Sequence, residues 1–196
     1  MTEKKILYLS KADVNAVGLS TAEVIELLET AFEEKGHGRV EIPPKPGIHP
    51  GGGDNFIHAM PAYIPALGSA GIKWVSGFPD NAKKGLPYIS GLLILNDPET
   101  GIPLAVMDCE WITGMRTAAA SAVSARRLAR PESSTLGVLG CGLQGFTNTE
   151  ALNVDFPIEE VFAYDLSKKS LAIYTEKVEK LGLKVTIVDT PEKAVK

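Results

Sequence analysis

The chain has 196 residues, 44% of them apolar and 22% charged, which is typical of a globular protein of one domain or slightly more. A net charge of −4 without a basic stripe argues against a nucleic-acid partner and favours a small molecule, and no run of about 18 apolar residues predicts a membrane span. The N-terminus lacks the apolar core of a signal peptide. Because the chain has only two cysteines, Cys109 and Cys141, we expect them to be buried, reduced thiols in the cytoplasm.

The first 108 residues predict an α+β domain with a largely antiparallel sheet. A short strand at residues 6–9 precedes a helix from about residue 20, where Ser20 and Glu23 have the spacing of a capping box. Residues 43–53 contain four prolines and four glycines, so they predict a loop that lies outside helices and sheet centres. Further strands are predicted at 56–63, 71–77, 88–96 and 102–107, the last two joined by a turn at 97–101.

The second half of the chain changes to alternating strands and helices. A long helix rich in small residues is predicted at 110–129, and Arg130-Pro131 ends it. The elements predicted after it are strands at 135–139, 161–164 and 185–188, separated by helices, with another helix starting at 190. The fold class is therefore α/β, with an α+β domain at residues 1–129 followed by a domain of alternating strands and helices at 130–196.

A glycine turn at residues 140–145 matches G-x-G-x-x-G in the context that this motif requires, directly after a strand and at the start of a helix. Gly140 permits the tight turn, Gly142 allows a pyrophosphate to approach the backbone, and Gly145 allows the helix to pack on the strand. The helix N-terminus offers free N–H groups to the phosphates. Its first residues, Leu143 and Gln144, are therefore also expected to bind the cofactor.

The acidic residue at the end of the next predicted strand favours NAD. Asp165 follows Gly145 by 20 positions and would accept hydrogen bonds from the adenosine ribose while repelling a 2′-phosphate. Lys168 and Lys169 lie close by in sequence, so NADP is not excluded. The alternative is a domain of the same fold that binds no dinucleotide.

Four polar residues outside the glycine turn each have two interpretations or a bland one. Lys73 beside Trp74 is either a lysine that reaches the surface or a cleft ammonium acting on a carbonyl or imine. Arg116 is either solvent-facing or a bidentate clamp on a carboxylate or phosphate, and Lys45 in the proline-rich loop is by itself an exposed lysine. His58 is either a core residue or a pocket acid or base. The three histidines lack metal-ligand spacing, so no metal is expected.

Five short motifs follow one another along the chain. They are 73–79 (KWVSGFP) with Asn81, 85–87 (GLP), 100–108 (TGIPLAVMD), 116–119 (RTAA) and the glycine turn. Together they resemble the ornithine cyclodeaminase/mu-crystallin family along essentially the whole chain. The resemblance implies an N-terminal domain for substrate binding and dimerisation, a Rossmann domain for the cofactor, and a homodimer. It also implies that the chain lacks the C-terminal third, which in the family carries a catalytic aspartate.

The same resemblance implies chemistry on a small amino or imino acid. In cyclodeamination a hydride passes from the α-carbon to NAD⁺, the imine loses ammonia on cyclisation, and the hydride returns. Relatives perform half of this cycle, as alanine dehydrogenases or as NAD(P)H-dependent reductases of cyclic imino acids and ketimines. A mu-crystallin-like protein that binds a nucleotide or small ligand without catalysis is the alternative of another class.

Site residues follow from the resemblance by position. Lys73 is similar to the lysine that contacts substrate near the reacting carbon, Arg116 to the arginine shared between substrate carboxylate and cofactor, and Thr117 lies beside the nicotinamide. Lys45 stands where the family usually has an arginine for the substrate carboxylate, and Tyr88 where the cyclodeaminase has a threonine near the cofactor. Both departures weaken ornithine as the substrate.

Overall fold

The computed structural model describes residues 5–195, so the first four residues of the N-terminus considered above lie outside the described part. These residues form two compact units. The first contains the chain up to Gly18 together with Thr30–Ile112, and the second contains Leu19–Glu29 and the chain from Thr113 onward. Within residues 5–195, every helix is either too short or too polar to cross a lipid bilayer.

The first unit contains a six-stranded sheet in the order β1-β6-β5-β4-β3-β2. Its strands are β1 (Leu7–Leu9), β2 (Gly47–Ile48), β3 (Phe56–Ile64), β4 (Ser69–Gly77), β5 (Ile89–Asn96) and β6 (Pro103–Asp108). All neighbours are antiparallel except β1 and β6, which confirms the largely antiparallel sheet. The short β2 lies in the predicted proline-rich loop, at the edge of the sheet, where missing N–H donors are tolerated.

Local hydrogen bonds explain the predicted turn and helix start. The Asp97 carboxylate accepts from the backbone N–H of Glu99 at 2.8 Å and of Thr100 at 3.0 Å, which fixes the turn between β5 and β6. Ser20 donates its backbone N–H to Glu23 at 2.8 Å, so the predicted capping box begins α2 (Thr21–Gly36). A preceding short helix, α1 (Lys11–Ala16), was not predicted.

The second unit contains a three-stranded sheet in the order β7-β8-β9, with all neighbours parallel. Its strands are β7 (Thr135–Leu139), β8 (Glu160–Tyr164) and β9 (Lys184–Ile187), and the helices are most of α3 (Glu110–Leu128), α4 (Leu143–Asp155), α5 (Lys168–Glu179) and α6 (Pro191–Ala194). The predicted alternation of strands and helices is thus confirmed. Apolar side chains from β8 and α5, among them Val161, Leu171 and Val178, form its core.

A glycine on β7 permits close packing of α6. A Cβ atom at Gly137 would lie 2.1 Å from the carbonyl oxygen of Ala194, so the strand can carry no side chain at this point. We expect Gly137→Ala to lower the free energy of unfolding by about 1–3 kcal/mol, because two backbone segments would have to separate. Urea denaturation measures this.

The matched control is Gly36→Ala at the end of α2, where a new Cβ meets no atom within 4 Å. That variant should be as stable as the parent or slightly more so, since alanine favours helix. Equal stability of Gly137→Ala and the parent would contradict the close packing of α6 on β7.

Candidate functional site

The glycine turn connects β7 to α4 in the second unit. Gly140 has a φ of 95°, a conformation that glycine adopts without strain, and its N–H donates to the carbonyl of Tyr164 at 2.9 Å. Gly142 occupies the N-cap position of α4 with φ −82° and ψ −161°, and no side chain caps the helix there. The first N–H groups of α4 are therefore left for another acceptor.

Gly142 and Gly145 have opposite surroundings. A Cβ at Gly145 would lie 2.2 Å from the carbonyl oxygen of Gly140 and 3.4 Å from the Val138 Cγ1. Helix α4 thus packs directly on the turn and strand. A Cβ at Gly142 would meet no atom within 4 Å, so this position is open to a ligand.

Asp165 follows β8 and is half-buried beside the turn. One carboxylate oxygen accepts from the backbone N–H of Cys141 at 2.7 Å, and the other accepts from the N–H of Ser167 at 2.7 Å. The Cys141 thiol donates to the Tyr164 carbonyl with an S···O distance of 3.6 Å. Burial, and secondarily the negative charge of Asp165, raise the pKa of Cys141 to about 11, so the thiol keeps the proton that it donates.

A buried pair of hydroxyl groups behind the turn was not predicted. Thr149 on α4 donates to the Gly145 carbonyl at 2.9 Å, so the proton in its 2.6 Å contact with Tyr174 on α5 comes from the tyrosine. Burial raises the pKa of Tyr174 to about 12. The two residues are 25 positions apart, and neither belongs to a recognisable motif.

The helix α3 carries two further predicted site residues in the second unit. Arg116 is exposed, and Thr117 donates its hydroxyl to the carbonyl of Thr113 at 2.7 Å. About one helical turn before Thr117, a Cβ at Gly114 would lie 3.5 Å from the Thr147 methyl group. Helix α3 therefore packs against the first turns of α4. Arg116 and Thr117 therefore follow directly after the contact with the helix that begins at the glycine turn.

Lys73 lies in the middle of β4 in the first unit, opposite Met60 on β3 and Leu93 on β5. Its side chain is half-buried and lines a cavity of about 150 Å³ whose other walls are mostly apolar. An ammonium group beside apolar side chains is less solvated than one in water.

His58 lies on the same face of the sheet as Lys73. Register places it opposite Val75, two residues from the partner of Lys73. Its ring stacks on Phe56 with centroids 4.4 Å apart, and burial, followed by the positive charge of Lys45, lowers its pKa below the usual 6.5. The imidazole is therefore neutral at neutral pH, with a cation from the proline-rich loop near it.

The predicted residues fall into two groups. Lys45, Lys73 and Tyr88 belong to the first unit, where Tyr88 is exposed just before β5. Arg116, Thr117, the glycine turn and Asp165 belong to the second. The structure joins the turn to Asp165 by one hydrogen bond, from the backbone N–H of Cys141. The positive charge of Lys45 lowers the pKa of His58, and His58 shares a sheet face with Lys73.

A parallel β-α-β-α-β sheet with this turn, an uncapped helix N-terminus and an acidic residue after the second strand defines a Rossmann-type dinucleotide-binding unit. The first unit adds an antiparallel sheet with a half-buried lysine. The chain belongs to the ornithine cyclodeaminase/mu-crystallin family, whose model matches residues 4–196.

Individual relatives agree with this assignment. The chain is 40% identical to alanine dehydrogenase of Archaeoglobus fulgidus over 95% of its own length and 56% of that protein. An archaeal alanine dehydrogenase dimer with bound NAD has 39% identity and a TM-score of 0.88, covering 96% of this chain and 57% of the other. Δ1-pyrroline-2-carboxylate reductase of Thermococcus litoralis, in complex with NADH and L-proline, has 37% identity and a TM-score of 0.92, covering 96% and 58%. The chain thus spans little more than half the length of these relatives.

Proposed function

We propose that this protein is an NAD-dependent enzyme acting on a small amino or imino acid, with cyclodeamination of the ornithine cyclodeaminase type as the leading reaction. The observation that carries the proposal is the glycine turn, open at Gly142 and joined to Asp165. A reductase of cyclic imino acids or ketimines, or an alanine dehydrogenase, is the second candidate. It is favoured by the similarity to an alanine dehydrogenase and to a Δ1-pyrroline-2-carboxylate reductase. It is also favoured by Lys45 and Tyr88, which differ from the residues that the family or the cyclodeaminase has at these positions.

The residues present fit the dinucleotide. Open space at Gly142 and the unused N–H groups of Leu143, Gln144 and Gly145 suit a pyrophosphate, and the Asp165 carboxylate suits the adenosine ribose. When bound, NAD accepts a hydride from the α-carbon or, in reduced form, donates one. NADP is the second candidate cofactor because Lys168 and Lys169 begin α5 and can offer positive charge to a 2′-phosphate.

The remaining polar residues bind and orient the substrate. Arg116 holds its carboxylate and the adjacent part of the cofactor, and Lys45 adds a second positive charge. Thr117 and Tyr88 lie on the nicotinamide side.

Lys73 exchanges a proton with the substrate nitrogen or with the water that attacks the imine. The half-buried position of Lys73 beside Met60 and Leu93 supports this role.

A fluorescence titration of the chain with NADH, with NADPH in parallel, tests the cofactor. Saturable binding that favours NADH supports the proposal, whereas binding to neither nucleotide contradicts it for this chain. The candidate reactions are then distinguished by turnover assays with amino acids and cyclic imines, using a protein as long as the relatives. Cyclodeamination releases ammonia without net change in NADH absorbance, whereas reduction consumes NADH. Tight binding without turnover in any assay would support the mu-crystallin-like, non-catalytic alternative.

We also propose a homodimer formed through the domain at residues 1–129, which binds substrate, while the domain at 130–196 binds the cofactor. The domain boundary between residues 129 and 130 stays a prediction. The free, buried thiols of Cys109 and Cys141 favour a reducing, cytoplasmic location. The dimer of archaeal alanine dehydrogenase and the apolar sheet face opposite Lys73 support self-association.

Trp74 and Leu92 lie opposite each other on that face and are 49% and 48% exposed. We expect Trp74→Glu combined with Leu92→Glu to convert a dimer into monomers, because burying two carboxylates is costly. Multi-angle light scattering gives the mass. The matched control is Leu166→Glu, at a residue 90% exposed in the second unit, which should leave the mass unchanged. A double variant that remains dimeric would place the interface elsewhere.

A further inference from the structure

Three hydrogen bonds join the first half of the glycine turn to the end of β8. The N–H of Gly140 donates to the Tyr164 carbonyl at 2.9 Å, and the Cys141 thiol donates to the same oxygen. The third bond runs from the backbone N–H of Cys141 to the Asp165 carboxylate at 2.7 Å, and it is the only one of the three with a charged acceptor. Hydrogen bonds to ionised groups are stronger than those between neutral groups.

The orientation of Asp165 is itself fixed. Its second carboxylate oxygen accepts the N–H of Ser167 at 2.7 Å, next to the start of α5. Each carboxylate oxygen has two lone pairs, so both can accept a further hydrogen bond from a ribose hydroxyl. The carboxylate can therefore hold the turn and a nucleotide at the same time.

Removing this carboxylate would leave the Cys141 N–H without its acceptor. Cys141 is only 4% exposed, so the N–H could reach water only through the space that the carboxylate leaves. An unsatisfied buried N–H is costly, and the turn is expected to move to relieve it. The same turn sets the positions of Gly142 and the first N–H groups of α4.

We propose that Asp165 is a positioning residue for the pyrophosphate-binding turn, in addition to its contact with the adenosine ribose. This inference rests on the proposed binding of NAD. A residue that only selects the ribose could be exchanged to improve NADPH binding. Because Asp165 also holds the turn, its loss weakens binding of both nucleotides, even though NADPH is relieved of the repulsion between the carboxylate and its 2′-phosphate.

The test uses NADH and an NADH analogue whose adenosine ribose lacks both the 2′- and 3′-hydroxyls. Asp165 has no ribose hydroxyl to bind in this analogue. We expect Asp165→Ala to weaken binding of the analogue by about tenfold, through the turn alone. Asp165→Asn should have a smaller effect, since its amide oxygen still accepts from Cys141 while its NH₂ group faces the N–H of Ser167. Unchanged affinity for the analogue in both variants would overturn the proposal.

Hydrogen exchange provides a readout that does not depend on the nucleotide. In Asp165→Ala the Cys141 amide should exchange at least about tenfold faster, while core amides such as those of Val161 and Val178 keep their protection. Asp189→Ala, at an exposed carboxylate paired with Lys193, is the matched control and should alter neither exchange nor affinity. Unchanged exchange at Cys141 contradicts the positioning role. If the parent chain binds neither nucleotide, the proposed function fails, but exchange at Cys141 still decides whether Asp165 holds the turn.

Discussion

Replacing Gly145 with alanine is expected to abolish most NADH binding and to destabilise the second unit. The new methyl group would lie 2.2 Å from the carbonyl oxygen of Gly140, a backbone atom that cannot move without opening the turn. Overpacking of this kind costs about 1–3 kcal/mol. A comparable loss of binding free energy lowers the affinity by roughly 5- to 150-fold.

A matched variant separates packing from ligand contact. Gly142→Ala places its methyl group where no protein atom lies within 4 Å, and φ at this position is −82°, so the fold should tolerate it. NADH affinity should nevertheless fall, because the methyl group occupies the space through which the pyrophosphate reaches the backbone. Thermal denaturation and fluorescence titration of both variants measure the two effects. If Gly142→Ala binds NADH as the parent does, the pyrophosphate does not approach at Gly142.

The longer strands and helices could be predicted because their signals are local, whereas the two-residue strand β2 lies in a segment predicted as a loop. Asp97 and Gly101 fix the turn between β5 and β6 by their own chemistry, and Ser20 and Glu23 begin α2 through neighbouring backbone groups. The six-residue helix α1 was missed since it is too short to show apolar periodicity. Its only signal was a second capping box, formed by Ser10 and Asp13.

The candidate site was predicted in part for the same reason. The glycine turn has a motif, so the roles of Gly142 and Gly145 could be assigned before their surroundings were known. The hydrogen bond between Thr149 and Tyr174 joins two helices across 25 positions, and no pattern of residue types indicates it. The contact of Asp165 with the Cys141 N–H likewise depends on the path of the backbone. Side-chain identity therefore indicated what Asp165 binds outside the chain but not what it holds within it.

Lys73 is expected to be essential for turnover and dispensable for cofactor binding. It lies in the first unit, in an apolar cavity of about 150 Å³, whereas the glycine turn and Asp165 belong to the second. Loss of a general acid or base typically lowers the rate by about 10²- to 10⁴-fold. We therefore expect Lys73→Met to lower kcat by that factor in a protein of the length of its relatives, while the Kd for NADH stays unchanged.

The choice of methionine matters because the cavity around Lys73 is lined by Met60 and Leu93. Methionine fills the volume of the lysine stem, so lost activity cannot be ascribed to a collapsed sheet, as it could be for alanine. Lys73→Arg keeps the positive charge but cannot release a proton, since the guanidinium stays charged at any physiological pH. If Lys73→Arg is active and Lys73→Met is not, the residue acts through its charge. If both are inactive, positive charge alone is not sufficient, as a role in proton transfer requires. Normal turnover of Lys73→Met would remove the residue from the reaction.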